Sequence, residues 1–141
     1  AYWSVRSGES EKRWISPRAF GFDGLRWHLR ARCQREGVFK DFVVGRFQSV
    51  GRSKPCPHAD EVDADWLESD VLVIRPSPAL SAHRRTALEM DYGMQDGQLE
   101  LTVRRAMRLY TLRRLGFIKK QLRLPMLNEL RELELVAIRE G

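Results

Sequence analysis

The chain has 141 residues, 43% of them hydrophobic, with a formal net charge of +6 and a mean hydropathy of −0.46. That length and apolar content suit one ordinary domain or two small ones with real cores, and they exclude a disordered tail. No apolar run approaches the ~20 residues of a membrane span, and no charged segment leads into an apolar one as in a signal peptide, so a cytoplasmic location is expected.

Residues 1–50 read as a small β unit of four or five strands. Tyr2-Trp3-Ser4-Val5-Arg6 is β-prone and runs into the turn composition Ser7-Gly8-Glu9-Ser10. Lys12 to Ser16 predicts a second strand, ending at Pro17. Phe22-Asp23-Gly24 turns the chain into Leu25–Cys33, and Glu36-Gly37 turns it again into Val38–Phe47. Short strands at this spacing predict a small barrel or sandwich, with closure protecting its edges. Residues 53–65 carry breakers and then the acidic run Asp60-Glu61-Val62-Asp63-Ala64-Asp65, so they read as a linker between a first domain, 1–52, and a second, 66–141.

The second module alternates in type. Val71–Arg75 predicts a strand, and Ser77-Pro78 a helix start with the helix running from Ala79 to about Met90. Tyr92-Gly93 stops it, and Gln98–Val103 predicts the next strand after Asp96-Gly97. Arg104–Leu115 predicts an amphipathic helix that ends at Gly116, and a further helix is expected around 127–136. The order β-α-β-α is that of half a split βαβ unit or a ferredoxin-like layer, and the expected fold class is α+β. So few elements close no sheet alone, so a homodimer through 66–141 is expected.

Charge is unevenly spread along the chain. Residues 1–58 hold 12 Lys and Arg against 5 Asp and Glu, or +7, whereas 59–141 hold 13 against 14, or −1. The first module is therefore expected to meet an anion. Its centre is the stretch Leu25-Arg26-Trp27-His28-Leu29-Arg30-Ala31-Arg32-Cys33. Arg26, His28, Arg30 and Arg32 share one parity and Trp27, Leu29, Ala31 and Cys33 the other, which is the mark of a strand with one buried face. Cations side by side repel one another, so a strand that keeps them is expected to present them to something anionic; the plainer alternative is a solvated basic face.

Other chemistry falls away. Cys56-Pro57-His58 with a distant Cys33 lacks the paired four-ligand spacing of structural zinc, and the two cysteines suit free thiols in a reducing compartment. No phosphate-cradling glycine loop and no nucleophile elbow occurs. The carboxylates cluster away from the basic strand, so no enzyme activity, no cofactor and no metal are expected.

Set side by side, these motifs resemble the WYL domain, named for a Trp-Tyr-Leu tripeptide on a central strand. This chain has Trp27-His28-Leu29 there, with Tyr2 in the first strand, Arg13 and Pro17 in and after the second, Gly24 before the tripeptide, and Phe39, Phe42 and Arg46 after it. His28 in place of tyrosine departs from the pattern but retains a ring. Asp91-Tyr92-Gly93-Met94, Leu101–Ala106 and Tyr110 to Gly116 resemble the C-terminal extension of such regulators, closest to repressors encoded with BREX- and CBASS-type anti-phage systems. The resemblance implies an Sm-like (SH3-like) β-barrel that senses a ligand, an extension that dimerises, and duplex DNA binding through a winged-helix domain upstream. On this reading the chain is a fragment of a longer regulator, or a regulator that has lost its DNA reader.

The ligand site expected from these residues comprises Tyr2, Ser4, Arg13, Trp27, His28, Arg30 and Arg46. An arginine fork with hydroxyls and aromatic faces suits a phosphate beside a base, as in a nucleotide or single-stranded nucleic acid. Arg46 shares parity with apolar Phe42 and Val44 and needs a partner, and Gly45 could mark a bulge that re-aims it. Alternatively, Arg13 and Arg46 pair with Asp41 or Glu11 and merely staple the barrel. The expected function is thus the sensing and dimerising region of a phage-defence repressor, with a stand-alone Sm-like module for RNA or single-stranded DNA as the rival.

Overall fold

The computed structural model describes residues 1–4, 8, 10–118 and 132–141. The chain divides into two compact units, Ala1–Asp63 and Ala64–Gly141. The first contains β1 (Tyr2–Trp3), β2 (Ser10–Glu11), β3 (Ile15–Phe22), β4 (Trp27–Cys33), β5 (Val38–Val43) and a 3₁₀ turn over Val44–Arg46. β3, β4 and β5 form an antiparallel three-stranded sheet in that order, and β1 pairs with β2. Tyr2 also bridges to Phe47, beyond the 3₁₀ turn. Among the described residues no closed barrel forms.

Pro17 does not end a strand, as its sequence context suggested. β3 runs through it to Phe22, with a register shift between Pro17 and Ala19. An outer strand tolerates proline because its outward side has no ladder bond to lose, and a bulge tolerates it for the same reason. Gly45 marks a 3₁₀ turn rather than a bulge. The turns at Gly24 (φ 91°) and Gly37 (φ 69°) use left-handed backbone that glycine adopts without strain. The core is small: Tyr2, Ala31, Cys33 and Phe42, flanked by Ile15, Leu29 and Phe47. Tyr2 meets Phe42 and Phe47 edge-on, each at 5.1 Å between centroids.

The second unit contains α1 (Ala64–Leu67), β6 (Ser69–Pro76), α2 (Ala82–Asp91), β7 (Leu99–Arg104), a 3₁₀ turn over Arg105–Met107, α3 (Arg108–Arg114) and β8 (Leu133–Glu140). Its sheet has the order β7-β6-β8 and is antiparallel throughout. The α+β class holds. The strands on either side of α2 are antiparallel neighbours, whereas a split βαβ unit would make them parallel. Ser77-Pro78 precedes a turn, and α2 starts later, with Ser81 as its N-cap. Of the expected helix, residues 133–136 belong to β8 and Glu132 is a bend, while 127–131 lie outside the described residues. Here tertiary pairing with β6 overrides helix propensity. Leu72, Ile74 and Leu112 form the core with Leu99, Leu101, Val103 and Leu135 around them. Asp96 (φ 51°) and Gly97 (φ 73°) make the two-residue turn that leads into β7.

Candidate functional site

Alternation along β4 sorts its residues onto two faces. Ala31 and Cys33 enter the core with Phe42. The same face ends in Trp27, which is 55% exposed and packs on Phe22 at 5.1 Å. The other face carries His28, Arg30 and Arg32, only 2%, 6% and 8% exposed. These three are therefore not the solvated face that stood as the plainer alternative, although Arg26 at the head of the row stays exposed. They are covered, and each is met by an oxygen.

The Asp23 turn meets His28. Its Oδ2 lies 2.7 Å from His28 Nε2 and accepts the Arg26 guanidinium at 3.0 Å, while its Oδ1 accepts the amides of Leu25 (2.8 Å) and Arg26 (2.6 Å). Burial pushes the Asp23 pKa up, but the bonds from His28 and from the Arg26 and Leu25 amides outweigh it and hold the carboxyl well below the usual carboxylate range. Arg30 stands opposite Asp41 of β5 and donates to it at 3.1 Å. Its second and larger anchor is a bidentate pair with Asp63, Nε to Oδ2 at 2.6 Å and Nη2 to Oδ1 at 2.9 Å. Burial pulls the guanidinium pKa down, yet Asp63 and Asp41 raise it above the ordinary arginine value. Arg32 pairs with Glu61. The bulge at Pro17–Ala19 re-aims Arg18 onto the same face, over the Phe39 ring, where it donates to the His58 carbonyl at 2.7 Å. The Cys56 thiol lies 2.9 Å from Ser16 Oγ; that bond and the His58 amide lower its pKa.

Of the seven residues expected to form the site, the structure brings together His28 and Arg30. Trp27 lies on the opposite face. Tyr2 is buried in the core, and its hydroxyl accepts the Val43 amide at 3.1 Å. Ser4 accepts the Gly8 amide through its carbonyl at 2.9 Å. Arg13 is stapled by Glu11 (2.7 Å) and Glu36 (2.9 Å), the alternative raised from sequence. Arg46 sits in the 3₁₀ turn and makes no ion pair with the described residues. Sequence reasoning left out Arg32, whose parity with Arg30 was the available signal. It also left out Arg18, Asp23, Glu61 and Asp63. Nothing local in the acidic run says that it folds back onto β4.

The second unit has the inverse arrangement. The buried Asp70 carboxylate accepts Arg108 Nη1 at 2.6 Å and Arg105 Nε at 3.3 Å. Arg105 also pairs with Glu68 and Glu140. Asp70, Arg105, Arg108 and Glu140, with Leu109 and Ile138, line an open concavity of about 650 Å³.

The chain is thus built of two small units, one with a guarded row of guanidiniums and one with an apolar three-stranded sheet. Residues 71–135 match the family described as BrxR transcriptional regulator, C-terminal dimerization domain. The chain is also similar to proteins named DNA-binding transcriptional repressor CapW. Against that of Stenotrophomonas maltophilia it is 41% identical over 118 residues, which is 82% of this chain and 39% of the relative. Against that of Pseudomonas aeruginosa it is 35% identical over 123 residues, 85% of this chain and 40% of the relative. The Escherichia coli protein is 30% identical over 120 residues, again 85% and 40%. The chain thus spans about two fifths of the length of the curated relatives it matches.

Proposed function

We propose that this chain is the effector-sensing and dimerising region of a bacterial transcriptional repressor tied to phage defence. The observation that carries this reading is the similarity, over four fifths of the chain, to proteins named as repressors, with a dimerization-domain match confined to the second unit. The finer architecture we propose for the first unit, an Sm-like barrel of the WYL type, is supported by its short antiparallel strands and by the bridge between Tyr2 and Phe47.

The effector we propose is phosphate-bearing, either a nucleotide or a stretch of single-stranded nucleic acid. Guanidinium forks that hold carboxylates bidentately hold phosphates by the same geometry. Arg30 and Arg32 supply the cationic face, with His28 beside them. Arg46 supplies a cation without an ion-pair partner among the described residues; the exposed rings of Phe22 and Trp27 lie on the other face of the sheet, outside this site. Tyr2 and Arg13 are occupied in holding the unit together. The basic charge lies on strands, which grip phosphates but do not enter a major groove to read base edges, so sequence-specific duplex binding is assigned to parts of the protein outside these residues.

Two measurements test the proposal. Light scattering at micromolar concentration gives the mass of a two-fold dimer, and a monomer there removes the dimerising role. Anisotropy titration with a fluorescent oligothymidylate and with mononucleotides shows saturable binding that Arg46→Ala weakens about tenfold. A promoter duplex preferred more than about 100-fold over scrambled duplex by this chain alone overturns the reading, because phosphate contacts do not discriminate sequence.

A further inference from the structure

From residue 58 to residue 63 the chain crosses the sheet without pairing to any strand. Its anchors there are acceptors offered to guanidiniums: the His58 carbonyl to Arg18, the Glu61 carboxylate to Arg32 and the Asp63 carboxylate to Arg30. Arg30 and Arg32, two residues apart on a strand, stand about 6.7 Å apart along it. Successive anionic groups therefore lie on successive cations, which is how a chain of phosphates would lie.

The two carboxylates on Arg30 differ in how they are held. Asp41 is fixed by sheet register on β5, directly opposite Arg30. Asp63 belongs to the unpaired segment. If Asp63 leaves, Arg30 keeps Asp41, so no bare cation remains in a buried place. Arg30 can therefore exchange one anion for another without passing through an uncompensated charge. Glu61 is the looser of the pair, with its side chain 39% exposed.

We propose that Arg18, Arg30 and Arg32 form an oxyanion site that the chain closes on itself, with Glu61 and Asp63 acting as an internal competitor that the effector's phosphates displace. This rests on the reading above, that this face takes a phosphate-bearing effector. Asp63 is the last residue of the first unit, and α1 begins at the next residue. Displacement thus frees the chain at the point where it enters the second unit, which gives the sensor a covalent route to the dimerisation module.

The test uses the full chain and three probes: tripolyphosphate, a mononucleoside monophosphate and a fluorescent oligothymidylate. Glu61→Gln and Asp63→Asn are each expected to tighten binding about tenfold, the scale of one lost competing charge-assisted bond. Asp60→Asn changes net charge as much as Glu61→Gln does, yet Asp60 pairs with no described residue, so it is expected to leave affinity within about twofold. Should Asp63→Asn unfold, Glu61→Gln decides the matter. Hydrogen exchange of the parent protein adds a second readout, since saturating probe should lower protection of amides in 58–63. If the probes bind the parent and Arg32→Gln weakens them, but Glu61→Gln behaves as Asp60→Asn and 58–63 stays protected, the competitor is refuted while the effector site stands. If no probe binds the parent or the Glu61→Gln variant, both fail. The mononucleotide and oligonucleotide arms show which carrier of phosphate the site takes.

Discussion

Each unit holds a buried ion with two of the opposite sign around it, but the signs are reversed. In the first unit that ion is Arg30, and Asp41 and Asp63 attend it. In the second, Asp70 is buried and Arg105 and Arg108 attend it. The attendants differ in what becomes of them when the central ion is lost. Asp41 and Asp63 have side chains only 12% and 7% exposed, so they have little water to fall back on. Arg105 and Arg108 are 27% and 39% exposed, and Arg105 has other carboxylates beside it. A buried ion pair is weak as a source of stability but expensive to break, and the expense depends on what is stranded.

That difference fixes the largest expected effect. Arg30→Met strands two buried carboxylates and should destabilise the first unit by about 3–5 kcal/mol. Urea unfolding followed by tryptophan fluorescence checks it, because Trp3, Trp14 and Trp27 report the first unit and Trp66 the second. Asp70→Asn should cost the second unit less, about 1–3 kcal/mol, since its arginines turn to solvent. Equal costs in the two units would erase the distinction drawn between them.

The pH dependence sharpens the comparison further. The depressed folded-state pKa of Asp23 contributes stability that is present above its unfolded pKa of about 3.9. That contribution is lost as pH falls from there through the folded value. Acid titration should therefore weaken the first unit below about pH 4, and Asp23→Asn should flatten its profile in that window. A profile unchanged by Asp23→Asn would place the acid-sensitive group elsewhere. The smallest effect belongs to Arg75 and Glu134, whose side chains are 48% and 43% exposed. Glu134→Gln should move second-unit stability by less than about 1 kcal/mol, and raised salt should abolish the difference.

Much of the local structure was legible in the sequence. Period-two alternation located β4, and the turns at Gly24 and Gly37 followed from their residues. The strand at Val71–Arg75, the strand beginning near Gln98, and the stops at Tyr92-Gly93 and Gly116 followed in the same way. Alternation also separated Ala31 and Cys33 from Arg30 and Arg32. It could not say which face would be covered, or by what. Trp27 and His28 were placed in one site although neighbours on a strand point to opposite sides, and the pleat parted them.

Charge shows the boundary between the two kinds of information most plainly. Counted to residue 58, the first part carries +7 and the rest −1. Counted by the units the fold makes, 1–63 carries 12 cations against 8 anions, or +4, and 64–141 carries 13 against 11, or +2. Asp60, Glu61 and Asp63 account for the change, because the segment that carries them belongs to the first unit, where Glu61 and Asp63 meet arginines. Composition and periodicity by themselves determined that a basic strand exists, where it runs, and that its cations need anions. Only the tertiary structure decided that the chain itself supplies such anions, in Asp23, Asp41, Glu61 and Asp63. The contact between Arg30 and Asp63 spans 33 positions, and local pattern carries no information about which distant segment closes over a face. That choice is made by long-range pairing, where desolvated charge must find charge.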